Sequence, residues 1–183
     1  MKDILISIQP QWVAMIVHKK KTLEIRKTMP KCDLPCKVYI YCSWGDMRTN
    51  YMLGKRGKVV AEFTLNDVER FDVPYPAYFY KVEKQLQHIV QGSCLPLTQI
   101  HHYLKNNSGY AWHIDNLKIY DKPKELSEFS HYIPNNKCPK MECGIDCEDC
   151  MSYDSEHETC LALYYAHREI KRPPQSWCYV EKE

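Results

Sequence analysis

Six strand-like runs, with helical stretches scattered irregularly among them, limit what this chain can fold into. Residues 4–8 (ILISI) have the β-branched and aliphatic composition of a short strand. Pro10 opens a helix-like stretch, QWVAMIVHKK, in which Val13, Ile16 and Val17 share a face. TLEIRK then alternates strictly, with Leu23 and Ile25 on one side and Thr22, Glu24 and Arg26 on the other. KVYIYCS, KVVAEFTL, YAWHIDNLKIYD and PPQSWCYVE supply the remaining runs, and Pro123 is expected to end the fifth. Between the third and fourth, MRTNYMLGKRG has the chemistry of a loop. A helix is predicted over residues 80–91, with Val82, Leu86, Ile89 and Val90 on one face, and Thr98 is placed to cap a second through Ile100, Tyr103 and Leu104. Strands outnumber helices and do not alternate with them. This argues against a doubly wound sheet and predicts a compact α+β barrel with helices packed outside.

A chain of 183 residues fits one domain spanning 1–183. At 44% hydrophobic and 26% charged it holds enough apolar material for a core and is too mixed for wholesale disorder. No apolar run approaches the ~18 residues of a membrane span. The first ten residues lack the pattern of a signal peptide, so a cytoplasmic protein with no membrane partner is expected. Between residues 130 and 170 the texture changes, becoming polar, acidic, cysteine-rich and without periodicity. That piece reads as an irregular insertion built around a metal.

Five of the ten cysteines, Cys138, Cys143, Cys147, Cys150 and Cys160, fall within 23 residues there. In a reducing compartment a disulfide framework is the weaker reading. Tetrahedral zinc takes four soft donors at ~2.3 Å, and Cys147/Cys150 has the spacing of a half-site. Four of the five thiols are therefore expected to hold a structural Zn2+, whose binding would supply the folding free energy that so few apolar residues cannot. His157 is a substitute donor or a solvent-exposed side chain. Cys42 and Cys178 lie in strand-like runs and read as small buried hydrophobes.

The formal charge of +2 hides an asymmetry. Residues 1–60 carry twelve Lys/Arg against four Asp/Glu, and residues 61–183 carry thirteen against nineteen. A basic half of this kind suits a polyanionic partner or is simply a solvated surface. The acidic excess centres on the insertion, where Glu142, Asp146, Glu148, Asp149, Asp154, Glu156 and Glu158 argue against nucleic acid and for a protein partner.

Thr22, Glu24 and Arg26, entered through Lys21, form the most informative local feature. Such a row faces solvent, with an ion pair worth little, or it faces a groove. In a groove the Arg fork and mobile Lys suit a phosphate, and Glu accepts from an amino group. Trp12 and Trp112 are expected in the core, whereas Trp44, just after Ser43 at a strand end, is placed to stack on a base. Tyr39, Tyr41 and Ser43 alternate onto one face that could line the same groove.

The run SIQPQWVAMIVHKKKTLEIRKTMP, with Lys21, Thr22, Glu24 and Arg26 in the order of the family's signature, resembles the opening of the ASCH family of the PUA-like superfold. The strand ending Tyr41-Cys42-Ser43, the run 57–61 and the run 110–114 fit the same pattern, and the segment 172–177 looks like the ending of a branch common in phages and prophages. The resemblance covers roughly residues 3–129 and 171–181. It implies a small β-barrel with a cleft lined by the signature row, and binding of RNA or a modified nucleotide. The expected contacts are Lys20, Lys21, Thr22, Glu24, Arg26, Ser43, Trp44, Arg48, Lys55 and Arg56.

Two alternatives accompany that reading. One is a hydrolase, either a ribonuclease or an amidohydrolase of the acetylcytidine type, with Lys21 as base or activator and Glu24 as a second acid/base. The amidohydrolase branch places a nucleophilic Thr where this chain has Glu24, and a carboxylate does not replace a hydroxyl activated by an amine. The other is a phage-type host-interaction protein acting through the zinc insertion.

Overall fold

Alternation along each strand decides which of three apolar clusters its side chains join. The computed structural model describes residues 2–46, 50–52, 54–73, 84, 86–105, 108–132 and 170–182. β1 (Asp3–Ile8) lies inside a sheet, parallel to β3 (Cys36–Cys42) and antiparallel to β9 (Trp177–Lys182). Covered on both faces, it reads as an almost continuous apolar run. Pro10 is the first residue of α1 (Pro10–Val17), whose buried Val13 and Ile16 sit against this sheet. β2 (Leu23–Arg26) follows, then β4 (Lys58–Leu65) and β5 (Val68–Asp72). Next come α2 (Gln87–Ser93) and α3 (Leu97–Leu104), then β6 (Ser108–His113), β7 (Asp115–Lys124) and the short β8 (Phe129–His131).

Among the described residues the strands form two sheets, ordered β7-β4-β3-β1-β9-β8 and β2-β6-β5. The α+β class stands, but the expected single barrel is not closed by hydrogen bonds among these residues. The chain changes sheets at Ile114: β6 pairs with β2 and β5, and β7 pairs with β4. The run read as one strand is thus two. Pro123 does not end β7, because β7 is an edge strand and needs no ladder donor there. β5 and β8 went unpredicted, the first because only Phe71 of its five residues is buried, the second because it is three residues long.

Val38, Ile40 and Cys42 of β3 face the first cluster, with Ile4, Ile6, Phe63 and Trp112. Tyr39 and Tyr41 point the other way, onto Leu5, Phe129 and Val180. Tyr39 and Tyr41, expected to line a groove, are therefore core, and Trp112 is core as expected. The second cluster joins Leu23, Ile25 and Phe71 to Ile89, Ile100 and Leu104 of the two helices. Burial pushes the thiols of Cys42 and Cys178 up to about 11, as suits cysteines acting as hydrophobes.

The helix predicted over 80–91 is described from its second half, and it runs on to Ser93 with Leu86 at its N-cap; residues 80–83 and 85 lie outside the described residues. Thr98 does not cap α3. Pro96 occupies the N-cap position without a side-chain cap, and Thr98 sits in the first turn.

α2 meets β2 at a glycine. A Cβ on Gly92 would lie 2.8 Å from Cγ and Cδ1 of Leu23, and the Gly92 carbonyl accepts from Thr22 N–H at 2.8 Å. Gly92→Ala should destabilise the fold by about 1–3 kcal/mol through overpacking, although the same change in an exposed helix stabilises. Denaturant melts of the two proteins check this; equal or higher stability in the variant would refute the close approach.

Candidate functional site

The chain leaves α1 through Lys19, whose φ of 57° turns it sharply. Lys20 and Lys21 N–H groups both donate to the Met15 carbonyl, at 2.9 and 3.1 Å. β2 then pairs antiparallel with β6, placing Glu24 beside Trp112 and Arg26 beside Tyr110. Leu23 and Ile25 join the helices, so Glu24 and Arg26 are turned toward the large sheet. The row was expected at a surface or groove wall. Its charged members are nearly enclosed, with Lys21 2%, Glu24 7% and Arg26 8% exposed, and they meet a groove rather than open solvent. Thr22 leaves the row: it precedes the strand, its backbone bonds to Gly92 and Ile114, and its side chain is exposed.

The three charged groups form one connected unit. Glu24 Oε2 lies 3.2 Å from Lys21 Nζ, and Glu24 Oε1 lies 2.9 Å from Arg26 Nη2. Lys21 Nζ also donates to the Ser93 carbonyl at 2.8 Å and stands 5.7 Å from the centroid of the Trp12 ring. Arg26 donates through Nη2 to the Ser7 carbonyl at 2.9 Å and through Nη1 to Ser176 Oγ at 3.1 Å. Two cations against one carboxylate leave a formal surplus of one positive charge in a largely desolvated place.

That unit floors a cleft of about 730 Å³. Trp12 of α1 and Tyr103 of α3 are its aromatic walls, and Gln9, Gln11, Gln99 and Gln175 bring four amides to it. Ser7, Ser43 and Ser176 contribute hydroxyls. Tyr103 is 39% exposed; burial pushes its hydroxyl up, against the pull of Arg26 and with a further push from Glu24, so it remains a donor at neutral pH. Trp12, expected in the core, is partly buried against the first apolar cluster and also lines the cleft, sitting one residue off the Val13/Ile16 stripe. Tyr103 flanks the Ile100/Leu104 stripe in the same way. The signal for both was their offset from the buried stripe.

Of the other expected contacts, Ser43 lines the cleft and Trp44 does not. Trp44 is 59% exposed and covers Gly57, where a Cβ would come within 2.8 Å of its ring. Lys20 is exposed and Lys55 half-buried, and neither lines the cleft. Arg56 is buried, donating through Nε to the Tyr51 carbonyl at 3.0 Å and through Nη1 to the Asp46 carbonyl at 3.2 Å. These two bonds clamp its own loop. Arg48, His157, the 133–169 part of the insertion and the five clustered cysteines lie outside the described residues. Among the described residues no three metal-ligating side chains come together, and no helix is long and apolar enough to cross a membrane.

None of the family models and none of the curated proteins compared matches the chain. Solved structures do. A tyrosine-to-phenylalanine mutant of ZmASCH from Zymomonas mobilis matches with a TM-score of 0.56 at 16% identity, covering 100% of this chain and 92% of that one. A serine-to-alanine mutant of ZmASCH gives 0.58 at 18%, covering 99% and 89%. ASCH from the same organism gives 0.50 at 17%, with the same coverage. At these identities the likeness is one of fold: the chain has the fold of an ASCH domain.

Removing the central carboxylate would leave Lys21 and Arg26 facing each other without a counter-charge. Glu24→Gln should cost about 3–5 kcal/mol. The exposed Glu69–His88 pair is the control, and Glu69→Gln should cost no more than about 1 kcal/mol. Denaturant unfolding at neutral pH measures both; equal losses would contradict the network.

Proposed function

We propose that this chain is an RNA- or modified-nucleotide-binding ASCH domain of the PUA-like superfold, and that it takes a nucleotide into the cleft above Lys21, Glu24 and Arg26. The observation that carries this reading is the surplus positive charge held at the floor of a cleft whose walls are amides and aromatic rings. A cation in a partly desolvated recess attracts an anion or polarises a base carbonyl more strongly than one in water. Glutamine amides donate and accept together, as the edge of an unpaired base requires, and aromatic rings stack on its face. The 173–176 segment lines the cleft too, and on this reading it would contact the same ligand.

The hydrolase alternative has less support. Both Glu24 oxygens face cations, the Lys21 ammonium is already shared between Glu24 and the Ser93 carbonyl, and the Thr22 hydroxyl lies away from the cleft. Ser43 is the hydroxyl such a reaction would have to recruit. Turnover of RNA or acetylated nucleosides by the purified protein would favour that alternative.

The binding reading is tested on side chains the fold does not need. Tyr103→Ala removes a stacking platform worth about 1–3 kcal/mol per base, so affinity for a short single-stranded RNA of mixed sequence should fall about tenfold or more. Gln99→Ala should weaken binding without moving the melting temperature. Fluorescence anisotropy across a salt series checks this; salt-independent affinity, or affinity unchanged in both variants, would refute it.

We also propose that four of Cys138, Cys143, Cys147, Cys150 and Cys160 hold a structural zinc ion and that the acidic insertion around them offers a surface to a protein partner. The donor set supports the metal: thiolates this closely spaced have the soft-ligand chemistry of tetrahedral zinc. About one zinc per chain should be found by plasma mass spectrometry, and Cys147→Ser with Cys150→Ser should abolish it. Metal-free protein whose five clustered thiols all react with a thiol reagent at once would overturn the site.

A further inference from the structure

Just beyond Arg26 the chain builds a second cavity, of about 980 Å³. Lys2, Lys27 and Lys31 line it together with Tyr110 and Tyr132, and Asp33 is the acidic side chain among its lining residues. Three cations against one carboxylate, interleaved with two aromatic rings, is the chemistry that tracks a single-stranded polynucleotide: ammonium groups along the phosphates and rings under the bases.

Two contacts join this cavity to the cleft. Lys27 follows Arg26 directly, and its Nζ stands 4.9 Å from the centroid of the Tyr103 ring, the aromatic wall of the cleft. Tyr110 is the cross-strand partner of Arg26 in an antiparallel pair, so the two side chains stand on one face of the small sheet. Arg26 serves the cleft, and Tyr110 serves the second cavity. On the far side, Lys2 Nζ lies 5.0 Å from the Tyr132 ring centroid and 5.5 Å from that of Tyr179. The Lys31 N–H donates to the Tyr179 hydroxyl, which fixes the loop between them.

We infer that the second cavity is a strand-binding subsite. A single-stranded RNA that places one base in the cleft passes its neighbouring nucleotides over Lys27 into this cavity, its phosphates meeting Lys27, Lys31 and Lys2 and a base stacking on Tyr110 or Tyr132. The ligand class is then an oligonucleotide, and a free nucleotide fills only half of the site. This inference rests on the nucleotide reading of the cleft.

The test compares nucleoside 5′-monophosphates with a short single-stranded RNA of mixed sequence, on wild-type protein and on Lys2→Ala with Lys31→Ala. Both substitutions lie outside the cleft lining, and a thermal melt verifies that the variant is folded. Wild type should bind the RNA at least about tenfold more tightly than any monophosphate. The variant should lose about tenfold on the RNA and nothing on the monophosphate. Its salt slope should fall by about 1.4, since each single-strand phosphate contact contributes about 0.7. RNA affinity and slope unchanged in the variant, with RNA or monophosphate binding intact in wild type, would overturn the subsite and leave the cleft standing. Wild type that binds neither probe would overturn both.

Discussion

A single carboxylate holds two cations, and much of the molecule is tied to it. Glu24 joins Lys21, which reaches the end of α2 through Ser93, to Arg26, which reaches β1 through Ser7 and the C-terminal turn through Ser176. Four segments far apart in sequence thus meet at one buried charge. The desolvation cost of such a group is several kcal/mol per ion and is offset only when each polar atom finds a partner. Here each carboxylate oxygen has its own cation and each cation has a backbone carbonyl, while Arg26 Nε is left buried with no hydrogen-bond partner.

The same interaction explains why the small sheet can be so small. β2 has four residues, and a strand of that length gains little from its ladder alone. It is fixed on one face by Leu23 and Ile25 against the helices and on the other by its ion pairs. Gly92 allows α2 close enough for the Ser93 carbonyl to reach Lys21. The helix approach and the position of the ammonium group are therefore one constraint.

Much of this was legible in the sequence, and the failures have physical causes. Strict alternation in TLEIRK separated Leu23 and Ile25 from Glu24 and Arg26, and that separation is observed. Alternation cannot say whether the polar side meets water or another sheet, because that depends on which distant segments cover it, so the burial of the row was unreadable. Tyr39 and Tyr41 mislead for the same reason: an amphipathic strand face becomes core once Phe129 and Val180 close over it. Arg56 counts as a cation in any tally of charge, yet turn carbonyls in its own loop bind it. The change of sheet at Ile114 left no mark, since both halves of that run favour strand.

Structural ion pairs and ligand sites differ in one respect that this network makes visible. A pair retained only for packing can be neutral, and neutrality minimises what burial costs. Lys21, Glu24 and Arg26 are not neutral, and the surplus cation is placed where the enclosure opens into a cleft with amides and rings around it. An unmatched charge raises the energy of the empty protein and lowers that of a complex with an anion or a polarised carbonyl, because only the complex completes the pairing. On the nucleotide-binding reading proposed above, that excess is the part of the network a ligand would complete. On the same reading, the position of Arg26 at the end of β2, with Lys27 next in sequence and Tyr110 beside it, would direct that attraction along a path rather than to a point.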